Sequence, residues 1–272
     1  MLSYIGGKSK ISPRLIMPNI PRKIEIFCEP FSGMMWTFFT MPLEQFTSLK
    51  KVIYNDFNPL NVNLFNCVTN YNEFYKIIKD IPSQKSELFY QFQKELFSKD
   101  FQLDLSSPNY EVAYKYAYIL SQVWSGTNPE KGKFIDLKGK YTSKFDSFKK
   151  KLVNSKWQNH FDKITKVENL DFQQVIEKYD SPTSFFYCDP PYYKTEDYYA
   201  NHDFGIETHE RLADCLRSMT GKFSLSYYDF PQLSEWFPKD KYTWKSSQFS
   251  KAAMAKSGKS QSKSTELLIM NY

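Results

Sequence analysis

Six short apolar runs separated by helical patterns restrict this chain to one class of fold. They are Lys23 to Phe31, Lys51 to Asn55, Lys166 to Phe172, Ser184 to Cys188, Lys222 to Tyr227 and Glu266 to Tyr272. Short runs this rich in apolar residues read as buried strands. Between some of them the spacing turns helical. Leu212, Cys215, Leu216 and Met219 recur on one helical face after Thr208, and Ser12-Pro13 reads as an N-cap followed by a proline at the first helical position. Strands alternating with helices predict an α/β fold, a mostly parallel sheet covered on both faces.

The alternation stops between about residues 64 and 161. Phe74, Ile77, Ile78 and Ile81 form one helical stripe there, Leu88, Phe89, Phe92 and Leu96 a second, and Val112, Ala113, Tyr116, Ala117 and Leu120 a third. We read 65–159 as a mostly helical module inserted into an α/β core made of 1–64 and 160–272. The whole chain carries a net charge of +6, and this module holds 15 Lys against 10 acidic residues, so +5 of it lies here. Lys131 to Lys156 alone holds nine lysines against Asp136 and Asp146. Before and within that run, Gly126, Gly132 and Gly139 interleave with Trp124, Phe134 and Tyr141. Loop lysines neutralise phosphates and aromatics wedge or stack at bases, although a solvated lysine-rich surface has the same composition. A second basic stretch, Lys245 to Lys263, is expected to be a mobile loop, either touching nucleic acid or merely flexible.

Several classes of function are disfavoured. Cys28, Cys67, Cys188 and Cys215 form no CxxC pair, and His160, His202 and His209 lie on no ligand-spaced motif. No metal is expected, and free thiols in a reducing compartment are. Nothing at the N-terminus resembles a signal peptide, and no apolar run reaches the roughly 18 residues of a membrane helix. A soluble, cytoplasmic chain, monomeric or weakly dimeric, is expected.

The run Ser184 to Cys188 ends in Asp189-Pro190-Pro191-Tyr192. A carboxylate accepts hydrogen bonds from an amine, the first proline fixes the direction of neighbouring carbonyls, and the tyrosine offers a stacking face. These are the parts needed to hold a planar base by its exocyclic amine. Taken alone, the four residues also suit an ordinary strand-to-turn exit.

Further motifs stand in fixed order around it: Tyr4-Ile5-Gly6-Gly7-Lys8, Cys28-Glu29-Pro30-Phe31-Ser32-Gly33, Tyr54-Asn55-Asp56-Phe57-Asn58 and, after the insertion, Leu170-Asp171-Phe172. With the closing runs Lys222 to Asp229 and Thr265 to Tyr272, the whole chain resembles the Dam-type (alpha-group) DNA adenine-N6 methyltransferases. The resemblance implies a Rossmann-like sheet with S-adenosylmethionine at the strands' C-terminal ends. It implies cofactor contacts from Tyr4, Gly6, Gly7 and Lys8, with Lys8 at the methionine carboxylate. Glu29, Pro30, Phe31 and Gly33 would wrap the cofactor, Asp56 accept from the ribose hydroxyls, and Asp171 and Phe172 hold the adenine, with Asp189 close by. Asp189, Pro190, Pro191 and Tyr192 would be the catalytic set, acting on an adenine flipped out of duplex DNA, with Tyr193, Tyr198 and Tyr199 at the rim. DNA contacts would come from Trp124, Thr127, Asn128, Lys131, Lys133, Lys138 and Lys140, as in a restriction-modification or solitary enzyme. The sequence departs from the family where a second glycine is usual after Gly33. Met35 stands there, implying a displaced loop or weakened cofactor binding. The alternatives are cytosine-N4 methylation and a catalytically silent DNA-binding protein.

Overall fold

The computed structural model describes residues 1–2, 7–123, 128–137, 142–193, 204–250 and 263–272. Seven strands form one sheet: β1 (Ile26–Glu29), β2 (Lys51–Asn55), β3 (Ile164–Glu168), β4 (Ser184–Cys188), β5 (Lys222–Tyr227), β6 (Thr243–Ser250) and β7 (Lys263–Met270). Their order is β3-β2-β1-β4-β5-β7-β6. β1 to β5 pair in parallel, and β7 runs antiparallel between β5 and β6. This is the expected Rossmann-like α/β sheet, with an antiparallel edge that the apolar runs alone did not reveal.

Three expectations about boundaries change. The run Lys166 to Phe172 is not one strand: β3 starts earlier and ends at Glu168, and Asp171 caps a helix. Residues 245–250, expected in a mobile loop, belong to β6, because six residue pairs with β7 satisfy their backbone. Ser12 is not a cap. It is the first residue of a π-helical turn (Ser12–Ile16) whose N-cap is Ile11, and its hydroxyl bonds that of Thr40.

The helices are α1 (Trp36–Phe39), α2 (Pro59–Val68), α3 (Tyr71–Ile78), α4 (Ser86–Leu96), α5 (Tyr110–Gln122), α6 (Lys144–Leu152), α7 (Ser155–Phe161), α8 (Phe172–Tyr179), α9 (Ile206–Ser218) and α10 (Pro231–Trp236). Local chemistry starts several of them. Asn58 accepts from Leu60 N–H ahead of Pro59, and Asn109, Ser143 and Asn154 cap α5, α6 and α7 in the same way. Such caps contribute about 1 kcal/mol each.

Side-chain alternation along the strands divides the interior in two. Phe27, Val52, Tyr54, Phe185, Leu268 and Met270 face one layer. Cys28, Ile53, Phe186, Phe223, Leu225 and Ile269 face the other, packed against α8, α9 and α10. The first layer runs without a break from α1 and α2 into α3–α6, through Phe65, Phe74, Phe89, Tyr116 and Phe145. The inserted helices therefore share a core with the sheet. Asn61 and Asn63 of α2 bind Tyr116 Oη of α5 and the Asn109 backbone across the join. The boundaries expected at 64/65 and 159/160 fall inside α2 and α7. Of the first stripe, Ile77 is exposed.

Candidate active site

β1, β2 and β4 end on the same edge of the sheet, and their C-terminal loops converge on one cavity of about 650 Å³. Asn55, at the end of β2, ties the loops together. Its Nδ2 donates to the carbonyls of Pro30 and Leu170, and its Oδ1 accepts from Leu170 N–H. Sequence reading quoted Asn55 only as a neighbour of Asp56, yet this amide fixes the spacing of the loops on either side.

The cavity gathers most of the expected residues: Gly7, Lys8, Glu29, Pro30, Phe31, Gly33, Asp56, Asp171, Phe172, Asp189 and Pro191. Asp56 accepts from Gly33 N–H at 2.7 Å and Asn58 N–H at 2.8 Å. Burial raises its pKa, and those two amides hold it back. Glu29 accepts from Phe38 N–H at 3.0 Å, and burial pushes its carboxyl well above the usual range. Phe31 lies 5.5 Å from Phe172, and the Arg211 guanidinium caps the Phe172 ring at 4.2 Å. Asp171 starts α8 through a capping box with Gln174 and also pairs with Arg211 through both oxygens. That guanidinium lowers the Asp171 pKa, with burial opposing.

Met35 takes the left-handed conformation (φ 50°) that a glycine would, two residues after Gly33 at φ 49°, and its side chain is fully buried. A non-glycine there costs about 1–2 kcal/mol, which burial of the thioether offsets.

At the other end stands a charge cluster. Lys8 Nζ lies 3.0 Å from Asp189 Oδ1, 2.9 Å from Glu266 Oε1 and 2.5 Å from Tyr192 Oη. The Tyr192 hydroxyl is within donating distance of Asp189 at 3.0 Å and of Glu266. Burial alone would lower the Lys8 pKa, but the two carboxylates outweigh it and raise it. Burial pushes Asp189 up to about 6, with Lys8 opposing and Glu266 adding to the rise. Lys8, expected at a cofactor carboxylate, has its three N–H groups engaged inside this cluster. Tyr192, expected to stack on a base, is itself buried and stacked on Tyr227 at 5.4 Å.

Pro190 is buried beside Asp189 but is not on the cavity wall. Tyr193 packs on Phe230. Tyr4, Gly6, Trp124, Thr127, Lys138, Lys140, Tyr198 and Tyr199 lie outside the described residues. Lys131 and Lys133 are exposed on a segment anchored by Gln93, which donates to the Pro129 and Gly132 carbonyls. Asn128, Pro129 and Glu130 reach the cavity wall, as do Leu96 to Lys99 and Phe101. Not every lysine of the basic run is available to a ligand. Lys149 binds the Lys79 and Ile81 carbonyls, and Lys151 the Met1 carbonyl.

Sequence reading missed Glu266, Arg211 and Thr37. Glu266 did carry a signal, as a charged residue on the same strand face as Leu268 and Met270. Thr37 is buried on the cavity wall with an unpartnered hydroxyl. Among the described residues no group of three or more His, Cys, Asp or Glu could hold a metal, and no helix is long and apolar enough to cross a membrane.

The Type II methyltransferase M.CviBI of Paramecium bursaria Chlorella virus NC1A is 24% identical over 230 residues, 82% of this chain and 80% of that protein. Among solved structures, the rRNA methyltransferase aviRa from Streptomyces viridochromogenes aligns over 96% of this chain and 82% of its own, at 12% identity and a TM-score of 0.35. A family model described as D12 class N6 adenine-specific DNA methyltransferase matches residues 4–251. The chain belongs to the D12 class of N6 adenine-specific DNA methyltransferases.

Proposed function

We propose that this chain is a site-specific enzyme of the Dam-type group, using S-adenosylmethionine to methylate adenine N6 in duplex DNA after the base is swung out of the helix. The observation that carries the reading is one cavity shared by the Asp189 carboxylate and by Glu29, Asp56 and Phe172. The insertion of the basic helical segment between β2 and β3 supports the Dam-type order of motifs. The free cysteines suit the cytoplasm.

The cavity fits the cofactor. Its volume lies within the range of small-molecule sites. An aromatic wall (Phe31, Phe172) suits a purine, Asp56 suits a ribose diol, and the unpartnered Thr37 hydroxyl leaves a buried polar atom for a ligand to satisfy. When bound, S-adenosylmethionine supplies a methyl group on a sulfonium, already activated for displacement.

The chain's own residues then work on the amine. The adenine N6 lone pair is delocalised into the ring. Asp189, on the cavity wall, accepts one of its N–H groups, favours a pyramidal nitrogen and frees the lone pair for in-line attack. Positioning and electrostatics carry such a reaction. With a pKa near 6, the Asp189 carboxylate is also able to take up the proton the amine gives off. Lys131 and Lys133 neutralise phosphates, and the flipped base costs a few kcal/mol of unstacking.

The test is to incubate the purified protein with DNA and methyl-labelled S-adenosylmethionine, then digest the DNA to nucleosides. Label in N6-methyl-2′-deoxyadenosine is expected. Label in a cytosine nucleoside, or none in DNA, would overturn the reading.

A further inference from the structure

Glu266 is the residue of the charge cluster with no place in the reading above. It lies in β7 opposite Ser247 of β6, far along the chain from the other three members, and its side chain is only 2% exposed. A buried carboxylate is costly unless it is paired and hydrogen-bonded. Here it has two partners, Lys8 Nζ and Tyr192 Oη.

Counting protons defines what the cluster is able to do. Lys8 brings three N–H donors and Tyr192 one O–H. Three Lys8 contacts use the first set: Asp189, Glu266 and the Tyr192 oxygen. The single phenolic proton serves one of two carboxylates. One cation thus stands between two buried anions at nearly equal distance, 3.0 Å and 2.9 Å. Asp189 meets the cavity, and Glu266 does not. Lys8 and Tyr192 both meet Asp189 through Oδ1. A carboxylate has two oxygens, so Oδ2 remains to accept an amine from the cavity while Oδ1 keeps its partners.

We propose that Glu266 is a positioning residue for methyl transfer, anchoring Lys8 and the Tyr192 hydroxyl, which in turn fix Asp189 Oδ1 so that the other oxygen is presented to the target amine. This rests on the reading of Asp189 given above. Without the Glu266 charge, Lys8 and Tyr192 lose the anchor that sets where they hold Asp189, and the carboxylate shifts out of place. The groups facing Asp189 are Lys8 from the N-terminal segment, Glu29 from β1, Tyr187 and Cys188 from β4, Tyr192 from its own turn and Glu266 from β7. Of these, Lys8 and Tyr192 favour the ionised form and Glu266 disfavours it.

The experiment compares wild type with Glu266→Gln in single-turnover methyl transfer across pH, alongside cofactor affinity and thermal melting. The expected result is a rate about tenfold to a hundredfold lower, as for a reacting group held slightly out of place. Cofactor affinity should stay within about twofold, and the acid limb of the profile should move to lower pH. An unchanged rate and unchanged limb would overturn the proposal while leaving the methyltransferase reading intact. A wild type that transfers no methyl group would instead overturn that reading. If Glu266→Gln does not fold, the wild-type protein decides the matter in a crystal structure with S-adenosylhomocysteine and a duplex containing the methylated adenine. Lys8 and Tyr192 still bridging Glu266 and Asp189 Oδ1, with the amine on Asp189 Oδ2, supports the proposal. Lys8 and Tyr192 gone from Glu266 while the amine stays on Asp189 refutes it.

Discussion

The two ends of the cavity each hold an aspartate paired with a cation, and the pairings have opposite consequences. Asp171 meets Arg211 through both oxygens on a partly exposed rim, and the pair lowers its pKa. Asp189 meets Lys8 at 3.0 Å in the interior, and its pKa rises to about 6. The difference is water, together with a second buried anion, Glu266. On the rim, solvent keeps the carboxylate charged and the partner adds to that. Inside, burial opposes the charge, and one lysine shared between two carboxylates compensates only partly. A carboxylate that is to accept an amine from the cavity on one oxygen while the other is held belongs at the second kind of site. A carboxylate that starts a helix belongs at the first.

Removing a side chain at the rim gives the largest expected effect on stability. Phe172→Ala should cost about 3 kcal/mol or more, since the ring is buried between Phe31 and the α8–α9 core. Denaturant unfolding would show it, and cofactor affinity should fall with it. A loss below about 1 kcal/mol would mean that the rim is not built around this ring. The buried end is sharpened by pH. If activity requires ionised Asp189, as proposed, its pKa of about 6 places the acid limb near pH 6. The transfer rate should drop about tenfold between pH 7 and pH 5. A flat profile over that interval would remove the contrast between the two ends.

Asp171→Ala should cost about 1 kcal/mol through loss of the α8 cap. The exposed Arg211 pair adds about 0.5 kcal/mol or less. Thermal melting checks this, and a loss as large as that of Phe172→Ala would show the rim pair to be more than a surface contact. The smallest effect on the fold lies outside the cavity. Replacing Lys131 and Lys133 with Gln should leave the melting temperature unchanged and reduce the slope of log K for DNA against log salt by about 2. An unchanged slope would place the DNA elsewhere.

What could be read from the sequence follows the range of each interaction. β1, β2, β4 and β5 were visible because each buries a contiguous run on both faces, whereas the edge strand β3 is largely exposed and its bounds were misjudged. β6 was not visible, because Thr243–Ser250 is polar and becomes a strand only through its pairing with β7. The cavity residues of the Glu29, Asp56, Asp171 and Asp189 motifs were found because each ends a strand or starts a helix. Glu266 was missed because its role depends on Lys8, distant in sequence. The helical stripes were found, but the sequence did not show that Phe74, Phe89 and Tyr116 share the sheet's core. Lys149 and Lys151 look like DNA contacts by composition and are satisfied by backbone carbonyls instead.

The central claim is that the Asp189 carboxylate, and not merely the shape of its turn, acts on the target amine. Asp189→Asn tests it, being nearly isosteric and still polar. With cofactor and DNA saturating, single-turnover methyl transfer should fall by at least about a hundredfold, the scale on which one preorganised electrostatic contact acts, while both ligands bind as in wild type. Transfer by the Asn variant within a few-fold of wild type would contradict the account.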